Sequence, residues 1–169
     1  MVTSSTAFGS PRPSTLSERA SPALEPPLRA LGIDFGTKRI GLAVSDPTGT
    51  VATPLETLKR RPGKRAPIAK MEQLGRELSA DHVVVGLPLD LSGEETPWCA
   101  EVRRVGKQLA ERLGVPVSFV DERMTSVRAE RAVRSMGLPK GERERRERVD
   151  AAAAQLILQA WLDQPGVAR

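Results

Sequence analysis

The chain has very little of several residue types, and each shortage excludes a class of protein. Its 169 residues include one cysteine, Cys99, so no internal disulfide bond can form and nothing indicates export. Aromatic residues make up 3%, with no tyrosine, which argues against a base-stacking platform like that of single-strand binding proteins. No apolar run reaches the length of a membrane span. These absences leave a cytoplasmic protein that does not enter a membrane.

The single histidine and the single cysteine are also uninformative about catalysis. His82 stands beside a strand-like run, and Cys99 stands near a predicted helix start. An isolated residue of either type is more often part of the packing, so we expect both to be structural.

Basic residues, in contrast, are plentiful and concentrated in two segments. The chain has 26 lysines and arginines against 21 acidic residues, a net charge of +5. Residues 59–76 contain seven basic side chains and one acidic one, and residues 128–148 contain eight basic and four acidic ones. Such segregation favours a polyanionic partner; a solvated helix face is the alternative, above all for the second segment, whose signs alternate. In the first segment we expect nucleic-acid contacts from Arg60, Arg61, Lys64 and Arg65.

The spacing of apolar residues predicts one α/β domain. Residues 1–29 are rich in serine, proline, alanine and threonine and are expected to form a flexible tail, followed by a domain at 30–163 and a short tail at 164–169. Short linkers make the first three strands an antiparallel meander, and helices separate the later, parallel strands. The result is a five-stranded mixed sheet with helices on both faces. We predict strands at 31–35, 39–45, 51–58, 82–87 and 115–120, and helices at 68–80, 96–113, from Thr125 or Ser126 to 137, and at 146–163.

Carboxylates occur at two strand positions where a site is expected. Asp34 interrupts an apolar strand, and burial of a lone carboxylate is costly unless a cation or hydrogen bonds compensate it. The alternative is a turn-forming aspartate ahead of Gly36. Asp121 and Glu122 end the fifth predicted strand, at the edge where α/β proteins place their sites, and the alternative there is a helix cap.

A further carboxylate, Asp150, lies near the start of the last predicted helix. At about 100° per residue it is in line with Ile157 and Trp161 on the stripe expected to face the core, and nearly opposite Gln155 and Gln159. The alternative is that the helix N-terminus stabilises this charge. An N-terminal cap would ordinarily point to solvent, however, and not inward.

Inward carboxylates on separate elements, without histidine or cysteine ligands, form a set of hard oxygen donors. Such a set suits Mg²⁺ or Mn²⁺. Two such ions about 4 Å apart can activate water and stabilise the leaving oxygen in phosphodiester hydrolysis. Alanines at 151–154 would let the last helix approach the sheet closely enough to share a metal.

Four segments resemble, in order and spacing, the motifs of the YqgF/RuvX family of bacterial ribonuclease H-like proteins, which are related to RuvC Holliday-junction resolvases. The resemblance covers residues 30–163 and rests on GIDFGTKRIGLAVSD (32–46), VVVGLPLDLSGEET (83–96), FVDERMTSVRAE (119–130) and RVDAAAAQLILQAWL (148–162).

The resemblance implies a ribonuclease H-like fold and a nuclease, usually assigned to processing of the 5′ end of the small-subunit ribosomal RNA precursor. It places the catalytic, metal-binding acids at Asp34, Glu122 and Asp150. It also implies that Gly86 to Pro88 line the cleft, where glycine permits close backbone approach. The neighbours expected on the phosphate side are Thr37, Lys38, Arg39, Arg123 and Thr125.

The chain departs from the related patterns at two positions. RuvC-type resolvases carry a second acid three residues beyond the helix aspartate, where this chain has Ala153. Asp90 stands where the family commonly has asparagine, and an extra metal ligand is one interpretation of it.

Four functions remain open. The first is an endonuclease acting on structured precursor ribosomal RNA, as a monomer or homodimer. The second is a nuclease for branched DNA that cuts four-way junctions, and the third is a non-catalytic nucleic-acid-binding module. The fourth follows from residues 34–37, which resemble the phosphate loop of actin-like ATPases, although those proteins need two lobes and this chain has length for one.

Overall fold

The computed structural model describes residues 29–61, 65–124 and 143–167, with the backbone alone described for residues 124 and 143–149. Several expectations therefore lie outside the described residues. They are the tail at 1–28, the helix from Thr125 or Ser126 to 137, and the phosphate contacts of Lys64 and Thr125.

Strands and helices alternate along the described residues largely as the sequence predicts. The elements are β1 (Ala30–Phe35), β2 (Arg39–Ser45), β3 (Ala52–Lys59), α1 (Ile68–Glu77), β4 (His82–Leu87), α2 (Pro97–Leu113), β5 (Val117–Asp121), a 3₁₀ turn (Glu122–Met124) and α3 (Arg143–Leu162).

Three boundaries differ from the predicted ones. Helix α1 ends at Glu77 because Ser79 takes a left-handed φ of 52°. Strand β5 begins two residues late because the amide of Val115 still donates to the α2 carbonyl of Ala110. Helix α3 begins at Arg143, three residues before the predicted start, so Asp150 lies about two turns inside it.

The sheet has the order β3-β2-β1-β4-β5. Strand β1 pairs antiparallel with β2, and β2 pairs antiparallel with β3, which confirms the predicted meander. Strand β4 runs parallel to both β1 and β5. Since parallel neighbours need crossover connections, helices α1 and α2 lie between these strands in the chain.

Helices cover both faces of the sheet, as predicted. One core contains Leu31, Ile33 and Phe35 of β1 together with buried residues of α1 and α2. The other core contains Ala30 of β1 and the buried residues of α3. The apolar run of β4 is divided between them, because successive side chains of a strand point to opposite faces.

Helix α3 packs unusually close to the centre of the sheet. A methyl group added at Gly32 would lie 2.7 Å from Cβ of Leu158. At the outer strand the side-chain amide of Gln155 donates to the carbonyl of Ala52 at 2.9 Å, and Gln159 Oε1 accepts the amide of Ala52 at 2.9 Å. The two glutamines therefore bind the helix to β3, which orients the whole of α3 across the sheet.

His82 and Cys99 both lie in packed surroundings. The ring of His82 lies 4.5 Å from that of Trp161, and its Nε2 is 2.9 Å from Oγ of Ser118. Burial lowers the pKa of His82, against a smaller opposite effect of Asp81. Cys99 is fully buried. In the described ranges, no helix combines the length and apolar character needed to span a membrane.

Candidate active site

Asp34 points to the face of the sheet that α3 covers. Its neighbours Ile33 and Phe35 belong to the opposite core, and Gly32 two residues earlier faces Leu158 of α3. Because side chains alternate along a strand, Asp34 shares the face of Gly32. Its carboxylate is 3% exposed, so it lies beneath the helix and not in the following turn. The position argues against the alternative of a turn-forming aspartate.

On one side of Asp34 the sheet meets the backbone of α3 at Asp150. Asp34 is paired directly with Gly41 of β2. A methyl group at Gly41 would lie 2.6 Å from the carbonyl carbon of Asp150 and closer still to its oxygen. Glycine is needed at this position because any side chain would push the helix away.

On the other side of Asp34 the sheet meets the side chain of Glu122. Ile33 is paired with Val85, so one residue further along these parallel strands Asp34 lies level with Gly86. A methyl group at Gly86 would lie 2.5 Å from Oε1 of Glu122. Glu122 itself follows the end of β5 in the 3₁₀ turn and is 4% exposed.

The three predicted carboxylates therefore lie on one side of the sheet, with Asp34 between the other two. Two glycines, Gly41 and Gly86, provide the space on either side of it. Asp34 and Glu122 are buried, and the side chain of Asp150 is 13% exposed, so this face of the sheet concentrates acidic groups away from water.

Arg39 supplies positive charge to Asp150. Its Nη1 lies 3.5 Å from Oδ2 of Asp150, and both side chains are largely buried. The helix N-terminus does not explain this acid, because Asp150 lies about two turns into α3 and the effect of the helix dipole is confined to the first turn. The predicted phosphate neighbour Arg39 thus contacts a predicted metal ligand.

The donor set fits a hard divalent cation. Carboxylate oxygens are the ligands that Mg²⁺ and Mn²⁺ prefer, and the glycines at 41 and 86 let the backbone of Asp150 and the side chain of Glu122 approach the sheet on either side of Asp34. Within residues 29–61, 65–124 and 143–167, no three Asp, Glu, His or Cys side chains stand close enough to hold an ion together. The three carboxylates therefore share one face of the sheet without converging on one point, and Asp150 contacts Arg39.

Four of the predicted phosphate-contacting residues lie on the surface. Thr37, Lys38, Arg61 and Arg65 are exposed. The turn that carries Thr37 and Lys38 is closed by a hydrogen bond of 2.9 Å from the amide of Gly36 to the carbonyl of Arg39. The turn therefore directly follows β1, the strand that carries Asp34.

Arg60 differs from the other members of the basic segment because it is held inside the fold. Its guanidinium carbon lies 5.0 Å from the ring centroids of both Phe35 and Trp98. Its Nη2 lies 3.3 Å from Glu101, and the side chain is 14% exposed. These contacts give Arg60 a packing role between β1 and α2.

Asp90 organises its own loop. Its Oδ1 accepts hydrogen bonds from Oγ of Ser92 at 2.6 Å and from the amides of Gly93 and Glu94, each at 2.9 Å. These bonds, that from Ser92 first, hold the pKa of Asp90 below its usual value. A loop-capping role accounts for this carboxylate without a metal.

The RuvX family model, described as Holliday junction resolvase, matches residues 28–164. The chain belongs to the RuvX family. A relative from Nocardioides sp. (strain ATCC BAA-499 / JS614), named as a candidate pre-16S rRNA nuclease, is 49% identical over 142 residues, 79% of this chain and 86% of the relative. Two relatives of the same name are 44% identical over 138 residues (Mycobacterium sp. strain KMS, 80% of each chain) and 40% identical over 139 residues (Moorella thermoacetica, 82% of this chain and 97% of the relative). Membership confirms the prediction of a RuvX-type nuclease.

RuvC from Thermus thermophilus has the same fold. Its structure alone gives a TM-score of 0.52 at 19% identity, over 84% of this chain and 99% of RuvC. Its structure in complex with a Holliday junction substrate gives 0.52 at 18% identity, over 84% and 98%. The predicted ribonuclease H-like fold is confirmed.

This RuvX chain has Ala153 at the position where a second helix acid is expected in RuvC resolvases. The side chain of Ala153 is fully buried in the core between α3 and the sheet. A carboxylate there would be buried among Ala43, Val84 and Ile157, without the glycine-lined space that surrounds Asp34.

The two acids that the glycines of this RuvX site contact are not evident from the sequence. Gly41 and Gly86 each interrupt an apolar strand, and a glycine within a strand often marks close approach of another group. Both Gly41 and Gly86 therefore indicate close approach of another group. Which acid each glycine would meet could not be known without the position of α3 over the sheet.

Proposed function

We propose that this chain is a divalent-metal-dependent endonuclease that processes the 5′ end of the precursor of 16S ribosomal RNA during ribosome biogenesis. The observation that supports this most is the placement of Asp34 between Glu122 and Asp150, with glycine at both intervening positions. The names of the 37–49% identical relatives favour the ribosomal substrate. Such a substrate would place the protein in the cytoplasm.

Asp34, Glu122 and Asp150 would hold Mg²⁺ or Mn²⁺, which when bound supplies an activated water and stabilises the leaving oxygen. The chain's own residues do the remaining work. Arg39 balances the charge of Asp150. Thr37 and Lys38 bind the phosphate that enters beside Asp34, and Arg61 and Arg65 contact the backbone further from the site.

A second candidate is the cutting of four-way DNA junctions, favoured by the description of the family model as Holliday junction resolvase. Paired cuts in two strands would need two sites, and therefore a homodimer. The buried Ala153 argues against direct transfer of RuvC chemistry to this chain.

The test compares a labelled pre-16S fragment with a labelled four-way junction, each in Mg²⁺, Mn²⁺ and chelator. Asp34→Asn and Asp150→Asn should abolish metal-dependent cutting, because each removes a charged ligand while keeping the side-chain shape. Asp163→Asn is the matched control, since Asp163 is an exposed acid just beyond the far end of α3 that accepts a hydrogen bond from Gln159.

The faster-cut substrate decides between the two candidates. Binding without cutting in every condition, equal in wild type and both site variants, would contradict the proposal and leave a nucleic-acid-binding module.

A further inference from the structure

Arg123 is fixed to Asp121 by an extensive ion pair beside Glu122. Its Nε lies 3.1 and 3.0 Å from Oδ1 and Oδ2 of Asp121, and its Nη2 lies 2.7 Å from Oδ2. The amide of Arg123 also donates to Oδ1 at 2.9 Å. Three contacts to one carboxylate leave the guanidinium little freedom to rotate.

The same guanidinium lies against the loop between β4 and α2. Gly93 has a φ of 97°, and a methyl group there would lie 2.7 Å from Nη1 and 3.0 Å from Nη2 of Arg123. That loop is itself ordered by Asp90 through its bonds to Ser92, Gly93 and Glu94. Arg123 therefore connects the turn after β5 to the loop after β4, the two segments that follow Asp121 and Leu87.

A local ion pair between Arg123 and Asp121 would not by itself require a second loop to pack against the guanidinium. Exposed pairs close in sequence contribute little to stability, so stability alone does not explain two loops built around one arginine. Asp121 first, with a smaller effect of Asp90, raises the pKa of Arg123, so the group keeps its charge. The ion pair uses Nε and Nη2, and the arginine side chain stays 31% exposed.

We propose that Asp121 is a positioning residue that holds Arg123 as a preset phosphate-binding cation at the carboxyl ends of β4 and β5, next to Glu122 in the chain. The inference rests on the proposed nuclease function, in which the phosphate belongs to the substrate backbone next to Glu122. A planar guanidinium held in one orientation binds phosphate at a lower entropy cost than a mobile one. Gly93 is the residue that lets the loop after β4 approach the guanidinium.

A double-mutant cycle with Asp121→Asn, Arg123→Ala and the double variant tests this. The readout is the Kd for the labelled pre-16S fragment and the four-way junction, in chelator and over a range of salt concentrations. Arg123→Ala should weaken binding about tenfold and lower the salt slope by about one. Asp121→Asn should weaken it by roughly threefold, and the double variant should bind no worse than Arg123→Ala.

Two further variants complete the design. Gly93→Ala should also weaken binding, because the methyl group and the positive φ together move the loop off the guanidinium. Arg112→Ala is the control, since Arg112 of α2 pairs with Glu72 of α1, away from the loop after β4, and should leave the Kd unchanged.

Additive losses in the cycle, or tighter binding by Asp121→Asn, would overturn the positioning role. These results are separable from the proposed function, because wild-type protein that binds normally but cuts nothing in Mg²⁺ or Mn²⁺ contradicts only the latter. Wild-type protein that binds neither probe would overturn both.

Discussion

Replacement of Gly41 by alanine should inactivate the enzyme through a contact made by backbone alone. The added methyl group would lie about 1 Å closer to the carbonyl oxygen of Asp150 than the 3.0 Å that real Cβ atoms keep from other atoms. Gly41 lies in a strand paired on both sides, so β2 cannot retreat within the sheet. Helix α3 must therefore move away, and it takes Asp150 with it.

The size of the effect follows from that displacement. A misplacement of about 1 Å in a catalytic group can cost about 100-fold in rate, so kcat should fall by about two orders of magnitude. Overpacking of this kind costs about 1–3 kcal/mol, so the protein should still fold and melt at a lower temperature. The assay is single-turnover cutting of the preferred substrate in Mg²⁺, at a temperature where thermal melts show the variant fully folded.

Gly75→Ala is the matched control. Its methyl group would meet Cδ1 of Leu113 at 2.8 Å, the far end of a flexible side chain on the opposite face of the sheet. It should keep wild-type activity and gain up to about 1 kcal/mol from helix propensity. A folded Gly41→Ala protein that cuts at the wild-type rate would refute the claim that the packing of α3 sets the position of Asp150.

Three other changes give separate tests. Gly86→Ala should lower kcat with a smaller loss of stability than Gly41→Ala, because the methyl group meets the movable carboxylate of Glu122; an unchanged kcat would contradict this. Arg39→Gln should destabilise the metal-free protein by about 1–3 kcal/mol, because Asp150 loses a charged partner, and Mn²⁺ should raise its melting temperature more than that of wild type; equal shifts would count against it. The hydrogen bond from Thr48 and the amides of the β2–β3 turn hold the pKa of Asp46 far below its usual 3.8. The ionised Asp46 therefore stabilises the fold above that pH, and this stabilisation is lost as the pH falls. The difference in melting temperature between wild type and Asp46→Asn should be large at pH 6 and shrink as the pH falls below 4.

Strand positions were predictable from the sequence because each strand carries its own signal. The continuous apolar run at 82–87 predicts a strand buried on both faces, and its residues divide between the two cores. The predicted inward stripe of the last helix places Asp150 correctly against the sheet, since 3.6-residue periodicity needs no tertiary information.

The features that the sequence could not predict are contacts between elements distant in sequence. Arg60 belongs to a basic run, but the rings that hold it come from β1 and α2, and nothing local identifies them. Gln155 and Gln159 interrupt an apolar helix because they bind the outer strand β3, which the sequence pattern leaves unspecified. Asp90 can be interpreted as an extra metal ligand from the sequence, because the backbone amides that its carboxylate accepts from are not evident there.

The dependence of the site on α3 has a consequence for the order of events during synthesis. A chain translated as far as Glu122 contains all five strands and two of the three acids, yet the face that carries Asp34 is still open. Only when residues 143–162 emerge and dock on Gly32 and Gly41 does Asp150 arrive. Domains generally fold as units, and without α3 the apolar residues of this face have no helix to pack against, so the second core can form only at the end of synthesis. In the proposed function, the protein therefore gains its third acid, and with it catalytic competence, only when the last helix has been made.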